Sequence, residues 1–242
     1  MFETAIALLC AHLFADGINQ SPWMVKQKTR PWGLALSMAN VAGWAVLALG
    51  GFDLPLLTLL VLSHLGVDGI KLKWPDKTRL SELTAFSLEQ LVRLAILAGL
   101  VIWRPDVAAQ GFWGHLSASV QAYIWAGMAA LSGAILAVHT GGLVIKLVTT
   151  PIAPRAPIGG LDRGGRYIGW LERGLTFLFV LYGHPEGVGF LLTAKSIFRF
   201  GDITDARKRQ NTEYIIIGTM ASFGWGLIVA ILTAAAVHHW LA

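Results

Sequence analysis

Eight apolar runs, set apart by short polar turns, follow one another from Phe2 to Trp240. A run of about 20 apolar residues is long enough to cross the hydrocarbon of a bilayer as a helix. A helix is the form each run must take, because lipid offers no partner to an open backbone N–H or C=O. The runs are Phe2–Ile18, Trp32–Gly50, Leu54–Ile70, Leu83–Trp103, Ser119–Val148, Tyr167–Tyr182, Gly187–Phe200 and Tyr214–Trp240. Composition agrees. Of 242 residues 55% are hydrophobic and the mean hydropathy is +0.61. Charged residues make up 14%, against roughly 25% in soluble domains. These values exclude a soluble globular enzyme, a disordered regulator and a secreted disulfide scaffold; the single Cys10 cannot form a disulfide within the chain. The expected fold is all-α, a polytopic membrane helical bundle of about eight transmembrane helices.

Loop charges set the expected orientation. Lys26, Lys28 and Arg30 lie between the first two runs, and Lys71, Lys73, Lys77 and Arg79 between the third and fourth. Lys146, Arg155, Arg163 and Arg166 lie between the fifth and sixth, and Arg207, Lys208 and Arg209 between the last two. The intervening turns carry little beyond Asp53, Arg104 with Asp106, and Glu186. Every second loop is basic, the pattern of cytoplasmic loops, so both termini are expected outside the cytoplasm. The net charge of +5 is therefore read as topology, and no nucleic-acid partner is expected. Trp32, Trp74, Trp103 and Trp240 fall at run ends, where amphipathic rings favour the interface. A signal peptide is not expected, because Glu3 stands where a basic region would be and no small-residue cleavage site follows.

Four regions follow: an N-terminal four-helix half over 1–110, a long connecting helix over 111–149, a cytoplasmic linker over 150–166 and a three-helix half over 167–242. The linker, TPIAPRAPIGGLDRGGR, holds three prolines and four glycines, a composition that breaks helices. It lacks a GxxxxGK[ST] pattern, so a plain linker is expected rather than a phosphate cradle.

The most specific signal is an internal repeat. The first run contains His12-Leu13-Phe14-Ala15-Asp16-Gly17-Ile18 and the third His64-Leu65-Gly66-Val67-Asp68-Gly69-Ile70. The shared pattern is HLxxDGI. Positions i and i+4 lie on one helical face, so each helix presents a His with an Asp. Both helices run inward by the charge pattern, which places the pairs at matching depth. Parallel repeats of this kind imply a pseudo-two-fold axis along the membrane normal. Glu89 and Gln90 of the fourth run stand at about the same depth. Two imidazoles and three carboxylates could thus meet in one intramembrane chamber, where ionisable groups normally mark function. His12, Asp16, His64 and Asp68 form a donor set suited to a divalent metal such as zinc or manganese, with Glu89 as a further ligand or catalytic base. Two other readings stay open: a proton or ion pathway, and a hydrogen-bonded network that pins the packing. No HExxH signature is present.

The C-terminal half carries its own charged set, Glu172, Lys195, Arg199 and Glu213. One reading is compensating ion pairs, Glu172 with Lys195 and Arg199 with Glu213. The other is a basic clamp for an anionic headgroup. His184-Pro185-Glu186 reads as an outer turn, and nothing in the sequence near His139 gives it a role.

The stretches AHLFADGINQSPWMVKQK, LSHLGVDGIKLKW and SLEQLVRL, with the C-terminal runs WLERGLTFLFVLYGHPEGVGFLLTAKSIFRF and TEYIIIGTMASF, resemble a bacterial inner-membrane family catalogued as a domain of unknown function. The resemblance implies a multi-pass protein of the bacterial inner membrane and brings no settled activity. In their HxxxD helices its members are distantly similar to membrane-bound metal-dependent hydrolases. This chain departs from the family pattern at Asn40, where a histidine is usual, and over Glu89-Gln90-Leu91-Val92-Arg93, where Asp-Gln-x-x-His is usual. Arg93 would bring positive charge beside the site and could replace a metal by pairing with Asp16 or Asp68. Three functions are therefore weighed. One is a metal-dependent hydrolase of a lipid or phosphoester, with Lys195 and Arg199 holding an anionic headgroup. The others are a proton-coupled transporter and a structural or assembly subunit. Membrane lipids and other membrane protein subunits are the expected partners.

Overall fold

A computed structural model describes residues 1–19, 22–73, 81–153, 163–197 and 209–242. The described residues are helical, with no strand among them. The α-helices are α1 (Phe2–Leu13), α2 (Pro22–Gln27), α3 (Pro31–Leu49), α4 (Leu54–Lys73), α5 (Glu82–Trp103), α6 (Val107–Gln110), α7 (Ala118–Ala134), α8 (Gly141–Thr149), α9 (Gly164–Leu181), α10 (Glu186–Ile197) and α11 (Arg209–Leu241). Two wider π-helical segments interrupt the regular pitch, Phe14–Ile18 after α1 and Ile135–Thr140 between α7 and α8.

Local chemistry explains several ends. Pro31 begins α3, where a missing N–H costs nothing. Gly50 ends it in the left-handed region at φ 65°, with the Gly50 and Gly51 N–H groups donating back to Leu47 and Val46. The Asp53 carboxylate accepts from the Leu56 N–H at 2.9 Å as α4 begins. Ser81 caps α5, its hydroxyl accepting from the Thr84 N–H at 3.1 Å.

Among the described residues, five helical stretches are long and apolar enough to cross a membrane: Pro31–Leu49, Leu54–Lys71, Glu82–Trp103, Ala118–Ile152 and Asn211–Leu241. The other three expected spans are present as shorter or more polar helices. α1 has 12 residues before its π segment, and α10 has 12. α9 has 18 but carries Arg166, Glu172 and Arg173.

The chain divides into two compact units, residues 1–132 with 237–242, and residues 133–236. The division falls inside the stretch expected as one connecting helix, 111–149. The π segment after it packs on α9 within the second unit. Most of the expected linker, 154–162, lies outside the described residues. In the first unit the core is small-residue packing of α1 on α3 (Ala7, Ala11, Ala45) with Leu49, Leu56 and Trp125 around it. Small residues let backbones approach closely in a lipid-facing bundle. Thr4, fully buried, donates to the Pro105 carbonyl at 2.6 Å and accepts from the Ala108 N–H at 3.2 Å, tying α1 to the turn after α5. In the second unit Ala137, Phe177, Val229 and Ala230 form a smaller core.

A buried ion cluster at the duplicated motif

His12, Asp16, His64, Asp68 and Glu89 are brought together in the first unit by α1, its π segment, α4 and α5. What holds them is Arg93. Its Nη2 lies 2.7 Å from Asp68 Oδ1 and 3.0 Å from Glu89 Oε1. Its Nη1 lies 3.1 Å from Asp16 Oδ2 and within 2.7 Å of both ring nitrogens of His64. The Arg93 side chain is 5% exposed. A guanidinium has donors and no acceptor, so whichever His64 ring nitrogen bonds it does so as the acceptor.

The two copies of the motif are not equivalent. In the first copy Asp16 sits in the π segment, where its Oδ2 lies 3.4 Å from His12 Nδ1 and its Oδ1 3.2 Å from His64 Nε2. In the second copy His64 and Asp68 are linked through Arg93. The π segment is itself pinned from α3: Asn40 Nδ2 donates to the Ala15 carbonyl at 3.0 Å, and Asn19 donates to Asn40 Oδ1 at 2.5 Å. A π turn frees carbonyls from the regular ladder, and Asn40 takes one of them. Gln90 reaches His12 from α5.

Lys28, read from sequence as an orientation charge, belongs to the site. It is buried, and its Nζ lies 2.5 Å from Asp68 Oδ2. The corner between α2 and α3 delivers it. At Gly33 a Cβ would fall 2.0 Å from the Gln27 carbonyl oxygen, so this approach requires glycine. Lys71, largely exposed, closes the second oxygen of Glu89 at 2.6 Å. Three carboxylates, Asp16, Asp68 and Glu89, thus face three cations, Lys28, Lys71 and Arg93. A cavity of about 20 Å³ remains beside His12, Ser63, His64 and Arg93, room for one water.

Among the described residues no group of three His, Cys, Asp or Glu side chains is arranged to hold a metal ion. The guanidinium offers hydrogens to the lone pairs that zinc or manganese would need, and the charge balance leaves no surplus of carboxylate. As arranged, the donor set does not fit a divalent ion.

The second unit places Lys195 Nζ 2.7 Å from Glu172 Oε2, both side chains mostly buried. Glu213 lies near the start of α11, and Arg199 lies outside the described residues. His184 and Glu186 pair at 3.1 Å in the exposed turn before α10. There the Glu186 carboxyl is held below the usual range by its own backbone N–H at the helix start and then by His184.

Sequence comparison bears on the first unit. Residues 4–114 match the family model of the protein of unknown function DUF3307. The DUF3307 match takes in both HLxxDGI copies together with Lys28, Asn40, Glu89 and Arg93. It ends before α7, so the C-terminal charged set lies beyond it. No curated protein and no solved structure matches the chain.

Proposed function

We propose that this is a multi-span protein of the bacterial inner membrane in which the duplicated motif works as an ion-paired clamp between helices, making the chain a structural or assembly component of a membrane complex. One observation carries the reading: a single buried guanidinium contacts both motif aspartates, His64 and Glu89. Both oxygens of Glu89 are engaged by cations, which leaves it poorly placed as a catalytic base. Ionised groups in hydrocarbon are tolerated when they pair inside the bundle, and here three carboxylates meet three cations.

The alternation of basic loops supports both termini outside the cytoplasm. Exposed apolar side chains such as Phe52, Ile102 and Ile228 suit contact with lipid, and the clamp leaves the outer helix faces free for other membrane subunits.

Metal analysis of protein purified in mild detergent tests the proposal. The expected result is substoichiometric transition metal, unchanged in His64→Ala, with co-purifying membrane subunits retained. A stoichiometric metal lost on His64→Ala would sink the clamp and favour the metal-dependent hydrolase. Proton-coupled flux in liposomes abolished by Asp68→Asn would favour the transporter.

A further inference from the structure

The second unit contains a buried cation that no carboxylate among the described residues hydrogen-bonds. Arg173, near the middle of α9, is 4% exposed. Its Nη1 donates to Ser222 Oγ at 3.1 Å and its Nη2 to the Val138 carbonyl at 3.0 Å, a carbonyl of the π segment Ile135–Thr140. Its Nε is buried without a partner. No carboxylate among the described residues bonds it. Glu172, the neighbouring acid, is near enough to interact electrostatically with Arg173, but its hydrogen bond goes to Lys195. Arg93 in the first unit touches three carboxylates; Arg173 touches two neutral oxygens.

Glycines flank the Arg173 guanidinium. A Cβ at Gly169 would lie 3.0 Å from Arg173 Nη1, and one at Gly142 would lie 3.0 Å from Nη2 and 3.5 Å from the Trp170 indole nitrogen. The guanidinium therefore turns back along α9 to the level of Gly169 and Trp170. Exposed Arg166 comes down to the same level, its guanidinium carbon 5.5 Å from the Trp170 ring centre. His139, on the facing π segment, is near enough to interact electrostatically with Arg166. Two guanidiniums and an indole N–H thus lie along one seam between α8 and α9, with the Arg173 guanidinium in the space that side chains would take at the two glycines.

We propose that this seam binds an anionic group, a phosphate or a carboxylate, between the guanidiniums of Arg166 and Arg173. A planar fork of N–H donors matches such oxygens, and the incoming group supplies the hydrogen-bonded anion that Arg173 lacks. The source is either a membrane lipid headgroup or a free anion from the aqueous side.

The test uses the full-length protein in maltoside micelles, with the thermal unfolding midpoint as the readout. Inorganic phosphate is titrated in one arm and phosphatidylglycerol in the other. A saturable rise in midpoint is expected, since a ligand bound by the folded state stabilises it. A rise with phosphate identifies a free anion, and a rise with phosphatidylglycerol alone identifies a lipid headgroup. Arg166→Gln, at an exposed position outside the helix core, should weaken the response about tenfold. The charge-matched control Lys26→Gln should leave it unchanged. No saturable rise in either arm, or a rise that Arg166→Gln leaves intact, overturns the proposal.

Discussion

Lys28 Nζ stands 2.5 Å from Asp68 Oδ2, and through that contact the corner after α2 closes onto α4. Replacing Lys28 by Met leaves Asp68 with Arg93 as its remaining cation. The expected cost is about 1–3 kcal/mol, that of a buried acceptor losing a charged partner. Thermal unfolding in detergent would show it, and an unchanged midpoint would mean the ammonium is not engaged in the folded protein.

Arg93→Ala should be the most damaging single change in the first unit. It leaves three carboxylates facing two cations, and breaking a buried pair by removing one partner costs about 3–5 kcal/mol. Arg93→Lys should fall between, because a compact ammonium cannot span Asp16, Asp68 and His64 at once. Arg93→Ala combined with Asp68→Asn should recover part of the loss; denaturant midpoints of the single and double variants would reveal that coupling, and strict additivity would deny it.

Asn40→Ala removes the donor to the Ala15 carbonyl and the acceptor for Asn19. A loss of about 1 kcal/mol is expected, with faster amide hydrogen exchange confined to Phe14–Ile18. Exchange that is uniform along α1, or unchanged, would contradict a pinning role for Asn40.

Thr4→Val deletes two hydrogen bonds at a fully buried position, while Thr4→Ser keeps the hydroxyl and loses a methyl group. Valine should therefore be the worse of the two, by about 1–2 kcal/mol. Equal midpoints for the two variants would show that the hydroxyl bridge adds nothing.

Much of this protein is readable along the chain. The apolar runs become helices, Pro31 and Gly50 bound one of them, and His12 with Asp16, like His64 with Asp68, shares a helical face as the i, i+4 spacing demands. These features are local: run length, cap chemistry and helical periodicity depend on neighbours within a few turns. The number of spans is less legible, because α1 and α10 are short and α9 mixes apolar with charged residues.

Partnership was settled elsewhere. Periodicity says which face a residue occupies and not what meets it from another helix. Lys28 looked like any basic loop residue until the α2–α3 corner turned it inward. Arg93 could be read as a neighbour of the site, but its place at the centre depends on α1, α4 and α5 closing around it. Arg173 lies in a stretch that carries the family resemblance, but nothing there gave it a role; its setting comes from Gly142 and Gly169 allowing a close approach and from a π segment offering a carbonyl. The chain by itself determined that this is a helical membrane protein with a paired His/Asp motif. Only the tertiary structure decided that the charges of that motif are closed by side chains, because charge balance is a property of groups that meet across helices.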